Sequence, residues 1–190
     1  MVLSTSHAQR PPELFVREER LAPPRTRPTV YLDTTILSYF AASMSADISR
    51  ARMQRITRIW WARYRPHCDV FISSLLLAEA RHGSEYAARK RLAALESIDA
   101  VCLSERSEAL FQSLLADGLI PDIARADAEH ISYAATNSIR FLLTWNCKPL
   151  ANRRIFRRVT QRCESSGFRC PQICTPETLM RVSVDERRTD

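Results

Sequence analysis

Five short apolar runs rich in β-formers, separated by stretches of helical periodicity, constrain this chain more than any other feature. The runs are TVYLD at 29–33, DVFIS at 69–73, residues 98–103, RFLLT at 140–144 and a short run near 172–174. Between the first two, Ile48, Met53, Ile56, Trp60 and Tyr64 recur at the spacing of one helix face, and Pro66 stops the pattern. Residues 74–83, 84–96, 104–117, 123–137 and 150–165 read as further helices. Ser74 and Ser104 are placed to cap two of them, and Gly83 to end one. Strands that alternate with helices predict an α/β fold: a central, mostly parallel sheet of about five strands flanked by helices in three layers.

At 190 residues, 45% of them apolar and 26% charged, the chain has enough material for one such domain and its core. The expected domain spans residues 29–180. A leader at 1–28, with five prolines and no signal-peptide core, precedes it, and a short tail at 181–190 follows. Residues 1–27 are expected to be dispensable for folding, as a start codon assigned too far upstream would make them. No run approaches the roughly 20 apolar residues of a membrane span, which points to a cytoplasmic protein with no membrane partner. Six cysteines (68, 102, 147, 163, 170 and 174) lack paired zinc-type spacing, and no histidine follows His130. Reduced thiols are expected, with a disulfide between two of them left open.

Charge is informative by position. Residues 140–169 hold eight basic residues against one acid, Glu164, so this segment carries as much net charge as the whole chain at +7. Arg50, Arg52, Arg55, Arg58, Arg63 and Arg65 form a second basic run. Clustered arginine suits a protein that meets phosphates, and equally suits a solvated helix face.

In parallel sheets, ligands bind outside the carboxyl ends of the strands. Asp33 and Asn146 fall there, Glu79 lies shortly after the second strand, and Asp127 near the start of a helix. Each has a plain structural reading: a helix cap for Asp33, a helix-face acid for Glu79, a first-turn acid for Asp127, a turn residue for Asn146. His130 reads as a packed or supporting imidazole. Gathered together, three carboxylates repel unless a cation neutralises them. Mg²⁺ or Mn²⁺ takes oxygen ligands, keeps waters, and hydrolyses phosphodiesters without a histidine base.

Taken in order, VYLDTTILSYF (30–40), ISSLLLAEARHG (72–83), GLIPDIARADAEHISYAAT (118–136), RFLLTWNCKPLAN (140–152) and GFRCPQICTPETL (167–179) resemble the PIN-domain family. The closer resemblance is to its VapC-like branch of bacterial toxin ribonucleases. It covers about residues 29–179. It implies a metal-dependent endoribonuclease of the type II toxin kind, in which Asp33, Glu79 and Asp127 bind Mg²⁺ or Mn²⁺ and Asn146, where many members carry a fourth acid, completes the catalytic set. Thr34 matches a small hydroxyl residue beside the first acid, and Pro149 departs from a usual histidine. Thr34, Thr144, Lys148, Arg153, Arg154 and Arg157 are the expected substrate contacts. RNA, a small antitoxin protein and a second copy of the chain are the implied partners. The alternatives are a catalytically silent module of the same family, which binds nucleic acid or a protein without cutting, and a metal-dependent hydrolase of small substrates.

Overall fold

The computed structural model describes residues 27–101, 103–120, 125–146 and 153–186. Strands β1 (Thr29–Leu32), β2 (Asp69–Ser73), β3 (Asp99–Val101), β4 (Phe141–Leu143) and β5 (Gln172–Cys174) form one sheet. Its order is β3-β2-β1-β4-β5, and every neighbouring pair is parallel. Eight helices are described: α1 (Thr34–Ala41), α2 (Ile48–Arg63), α3 (Ser74–Ala80), α4 (Glu85–Leu95), α5 (Glu105–Leu115), α6 (Arg125–Thr136), α7 (Arg153–Ser165) and α8 (Pro176–Glu186).

Side-chain alternation divides the core into two layers. Val30 and Leu32 of β1, with Phe141 and Leu143 of β4, join Ile36, Trp60, Leu76, Leu95 and Leu179 on one face of the sheet. Tyr31 and Leu142 point the other way, into Leu110, Phe111, Ala128, Ile131 and Val159 of α5, α6 and α7. Both faces of β1 are covered, and all four of its residues are buried. The three-layer expectation therefore holds, and the sheet is wholly parallel among the described residues.

From β1 the chain builds outward through β2 to β3, then returns to β1's other side for β4 and β5. That reversal opens a crevice between the carboxyl ends of β1 and β4, where an α/β sheet binds its ligands.

Several local expectations shift. The cap of α3 is Ser73, whose hydroxyl accepts from Leu76 N at 3.3 Å; Ser74 is already the first helical residue. Two helices were not assigned from periodicity. In one, α1, Asp33 supplies the cap. In the other, α8, the Thr175 hydroxyl accepts from Thr178 N at 3.2 Å, and the helix runs to Glu186, past the boundary expected at 180. After α7, Gly167 sits at φ +81°, and the bonds Phe168 N→Cys163 O and Gly167 N→Glu164 O, each 2.9 Å, close the helix and turn the chain toward β5.

The leader 1–26 lies outside the described residues. Arg27, expected to be dispensable with it, donates to Pro66 O and to Cys68 O at 2.9 Å, and pairs with Asp69 at 3.6 Å. Cys163 and Cys170 are free thiols; Cys102 and Cys147 lie outside the described residues. No helix among the described residues is long and apolar enough to cross a membrane.

Candidate active site

Asp33 follows β1 directly. Its backbone N–H donates to Leu143 O at 3.0 Å, placing it where β1 and β4 part. The side chain is buried, and its two oxygens have different partners. Oδ1 accepts from Thr35 N at 2.7 Å and from the Thr35 hydroxyl, which caps α1. Oδ2 faces His130 Nε2 at 3.7 Å.

Glu79 arrives from α3, the helix that follows β2. Its Oε2 accepts from the Thr34 hydroxyl and lies 3.6 Å from His130 Nε2. Two successive threonines at the head of α1 thus brace the two acids, one each. At 3.6 and 3.7 Å the imidazole contacts are too long for good hydrogen bonds, and they are ion pairs when the ring is protonated.

Asp127 stands in the first turn of α6. Both its oxygens face Asn146 Nδ2, at 3.2 and 3.3 Å. Asn146 is aimed by the turn after β4: its N–H donates to Thr144 Oγ1 at 2.9 Å, and Trp145 N donates to Thr35 Oγ1 at 2.9 Å. Thr144 Oγ1 and Thr35 Oγ1 are 3.3 Å apart. The polar chain Asp33–Thr35–Thr144–Asn146–Asp127 therefore spans the crevice.

The electrostatics follow from this crowding. Burial, and then the charge of Asp33, push the Asp127 carboxyl up to about 6, against the lowering influence of His130 and Asn146. Glu79 is held below the usual carboxylate range, chiefly by the His130 imidazole beside it, which with Thr34 outweighs burial. Burial disfavours charge on His130, but Glu79, Asp33 and Asp127 outweigh it and raise its pKa above the ordinary 6.5.

The crevice thus brings together Asp33, Thr34, Glu79, Asp127, Thr144 and Asn146. Thr144 is buried, so it acts by holding the Asn146 turn. Lys148 lies outside the described residues, and of Arg153 only the backbone is described. Arg154 and Arg157 are exposed on α7. As the crossover from β4 to the parallel β5, this helix starts at the carboxyl edge of the sheet. Sequence reasoning missed Thr35, Tyr31 and Ser73. A signal existed for Tyr31: a hydroxyl inside a fully buried strand calls for a partner.

Among the described residues, no three His, Cys, Asp or Glu side chains already stand as a metal-ligand group. Asp33 and Glu79 are turned toward Thr35, Thr34 and His130, and Asp127 toward Asn146. Fold and site define an α/β protein with an acid-rich crevice at the switch point of a parallel sheet. Compared with protein-family models, curated proteins and solved structures, the chain matches none.

Proposed function

We propose that this chain is a divalent-metal-dependent endoribonuclease of the PIN-domain type, with Asp33, Glu79 and Asp127 as its metal-binding acids. The observation that carries the reading is the convergence of three acids, from β1, α3 and α6, at one crevice, with Asp127 pushed up to about 6 by burial and by Asp33. Carboxylates so placed have the chemistry of a hard-cation site, since a cation relieves the repulsion that raises Asp127. Holding an ion would require the acids to turn from their present hydrogen-bond partners. A bound Mg²⁺ or Mn²⁺ would supply neutralisation of charge on a phosphoryl oxygen and acidification of water.

The chain's own residues have separable parts in this scheme. Thr35 and Thr34 orient Asp33 and Glu79, and Asn146 orients Asp127 without adding charge. The exposed arginines of α7 would hold RNA phosphates beside the crevice. A homodimer and a small antitoxin partner belong to the same reading, and sizing of the purified protein alone and after co-expression would test both.

One observation favours a second reading, a PIN-like module that binds nucleic acid without cutting. Asp33 and Glu79 already have a counter-group in His130, and no ready ligand group stands among the described residues. The deciding experiment is incubation of the purified protein with total RNA in Mg²⁺, in Mn²⁺ and in chelator, with mapping of new ends. Ion-dependent cleavage, abolished by Asp33→Asn, Glu79→Gln or Asp127→Asn, supports the nuclease. RNA binding without new ends supports the silent module.

A further inference from the structure

Tyr31 sits in the central strand with 0% of its surface exposed, yet it carries a hydroxyl. A phenylalanine would fill the same space with no polar atom to satisfy. The hydroxyl has two partners on different elements: Ser73 Oγ of β2 at 2.6 Å and His130 Nδ1 of α6 at 2.8 Å. Ser73 and His130 are themselves buried. On the far side of the ring, Nε2 stands 3.7 Å from Asp33 Oδ2 and 3.6 Å from Glu79 Oε2.

Hydroxyls both donate and accept, so this relay serves either form of the ring. With a neutral imidazole, whose proton the two carboxylates draw to Nε2, Ser73 donates to Tyr31 and Tyr31 donates to Nδ1. With an imidazolium, Nδ1–H donates to Tyr31, which donates to Ser73. In both cases an N–H on Nε2 faces the two carboxylates. Without the Tyr31 hydroxyl, Nδ1 loses this partner in either form, and the ring is held less firmly where Nε2 meets both acids.

We propose that Tyr31 is a positioning residue for the acid crevice: held by Ser73, it fixes His130 so that an N–H stands between Asp33 and Glu79 and keeps both carboxylates placed for a divalent cation. This rests on the metal-site reading given above. It also assigns a purpose to a contact between residues 99 positions apart in the chain.

The test is Tyr31→Phe, which keeps the ring and its stacking on Tyr133 (centroids 6.5 Å apart) and removes one oxygen. Two readouts are taken. Long-range ¹H–¹⁵N spectra at alkaline pH, with His130 assigned by loss of its signals in His130→Gln, report which ring nitrogen bears the proton. Mn²⁺ titration followed by electron paramagnetic resonance reports affinity. The parent is expected to show Nε2–H alone. Tyr31→Phe should shift the Nδ1 signal of His130, which loses its hydroxyl partner, and weaken Mn²⁺ binding by about tenfold or more, as loss of a group supporting metal ligands does. Ser73→Ala, at the far end of the relay, should shift the same signals less. Tyr133→Phe, whose hydroxyl bonds Glu129 instead, should leave them unchanged. An unaltered His130 pattern in Tyr31→Phe overturns the proposal, as does an altered pattern with parental Mn²⁺ affinity. A parent that binds no Mn²⁺ removes the metal-site reading alone, and the nitrogen pattern then decides whether Tyr31 positions His130.

Discussion

Asp33 uses its two oxygens for different tasks, and substitutions can separate them. Oδ1 caps α1 through Thr35 N, while Oδ2 faces His130. Asparagine caps a helix about as well as aspartate, whereas alanine costs about 1 kcal/mol. Asp33→Asn should therefore match or exceed the parent's thermal midpoint in chelator, and Asp33→Ala should fall below it by about that amount. Both should lose ion-dependent cleavage, and equal midpoints would show that the cap contributes nothing. Asp127 offers a second test, through pH. Its folded-state pKa is raised from 3.8 to about 6, first by burial and then by Asp33. Between these values the folded state binds the proton more tightly than the unfolded chain, so the stability it contributes is present near pH 4 and lost as pH rises through about 6. Glu79, held low, acts in the opposite sense and loses its contribution as pH falls, so the parent's own curve mixes the two. The difference between Asp127→Asn and the parent, measured by calorimetry in chelator, isolates Asp127. It should be smallest near pH 4, grow in favour of the variant, and level off above pH 6; parallel curves would show that Asp127 is not strained by its neighbours. Asp33 and Asp127 were legible because one follows a strand and the other sits in the first turn of a helix, and Glu79 because a charge inside an apolar run calls for a partner. His130 was legible only as a packed or supporting imidazole; its link to Tyr31 and Ser73 was not, because those contacts span 42 and 99 residues.

At the scale of elements, strands were easier to read than the helices that bear the site. The five apolar runs each became a strand, three of them trimmed at the ends. The helix α1 (TTILSYFA) is composed largely of β-branched and aromatic residues, and forms because Asp33 caps it and Ile36 and Leu37 are buried. Its two threonines brace the acids, so the element with the weakest local signal carries much of the site's geometry. In α8, by contrast, Thr175 and Pro176 are an ordinary start signal that periodicity alone passed over. The basic helix α7 was legible as a helix, and its part in binding is open to direct measurement. Arg157 and Arg158 are exposed beside the buried Val159, while Arg162 turns inward to donate to Ser113 O at 2.8 Å. Each phosphate contact releases counterions, so removing contacts lowers the salt slope of binding. Replacing Arg157 and Arg158 with glutamine should weaken RNA binding at low salt and lower the slope by about one to two, with little effect on the single-turnover rate of bound RNA. Glutamine keeps the helix, so a parental affinity and slope would mean that this face is solvated or serves a protein partner.

For the whole molecule, the decisive feature is the strand order. Because β1 and β4 are neighbours whose crossovers run to opposite sides of the sheet, the groups after them, Asp33 and the Thr144–Asn146 turn, are separated by a crevice and joined across it by bonds of the Thr35, Thr144 and Asn146 side chains. The acids come from elements on both layers: α3 contributes Leu76 and Ala80 to one core, and α6 contributes Ala128 and Ile131 to the other. An ion held by Asp33, Glu79 and Asp127 would thus tie the two layers together and be lost on global unfolding. Binding only to the folded state adds about 2.7 kcal/mol when the free ion is at one hundred times its dissociation constant. For a domain of this size, that should raise the thermal midpoint by roughly 5–10 °C. The combined Asp33→Asn, Glu79→Gln, Asp127→Asn variant should show no such rise. In chelator it should melt above the parent if relief of carboxylate repulsion outweighs loss of the His130 ion pairs, and the sign of that difference measures which is larger. Scans of parent and variant at several Mn²⁺ concentrations provide the check, with Ca²⁺ included because it too takes oxygen ligands in looser geometry. A parent whose midpoint does not move with any of these ions would have no resident cation in the crevice, and His130 would then remain the partner of Asp33 and Glu79.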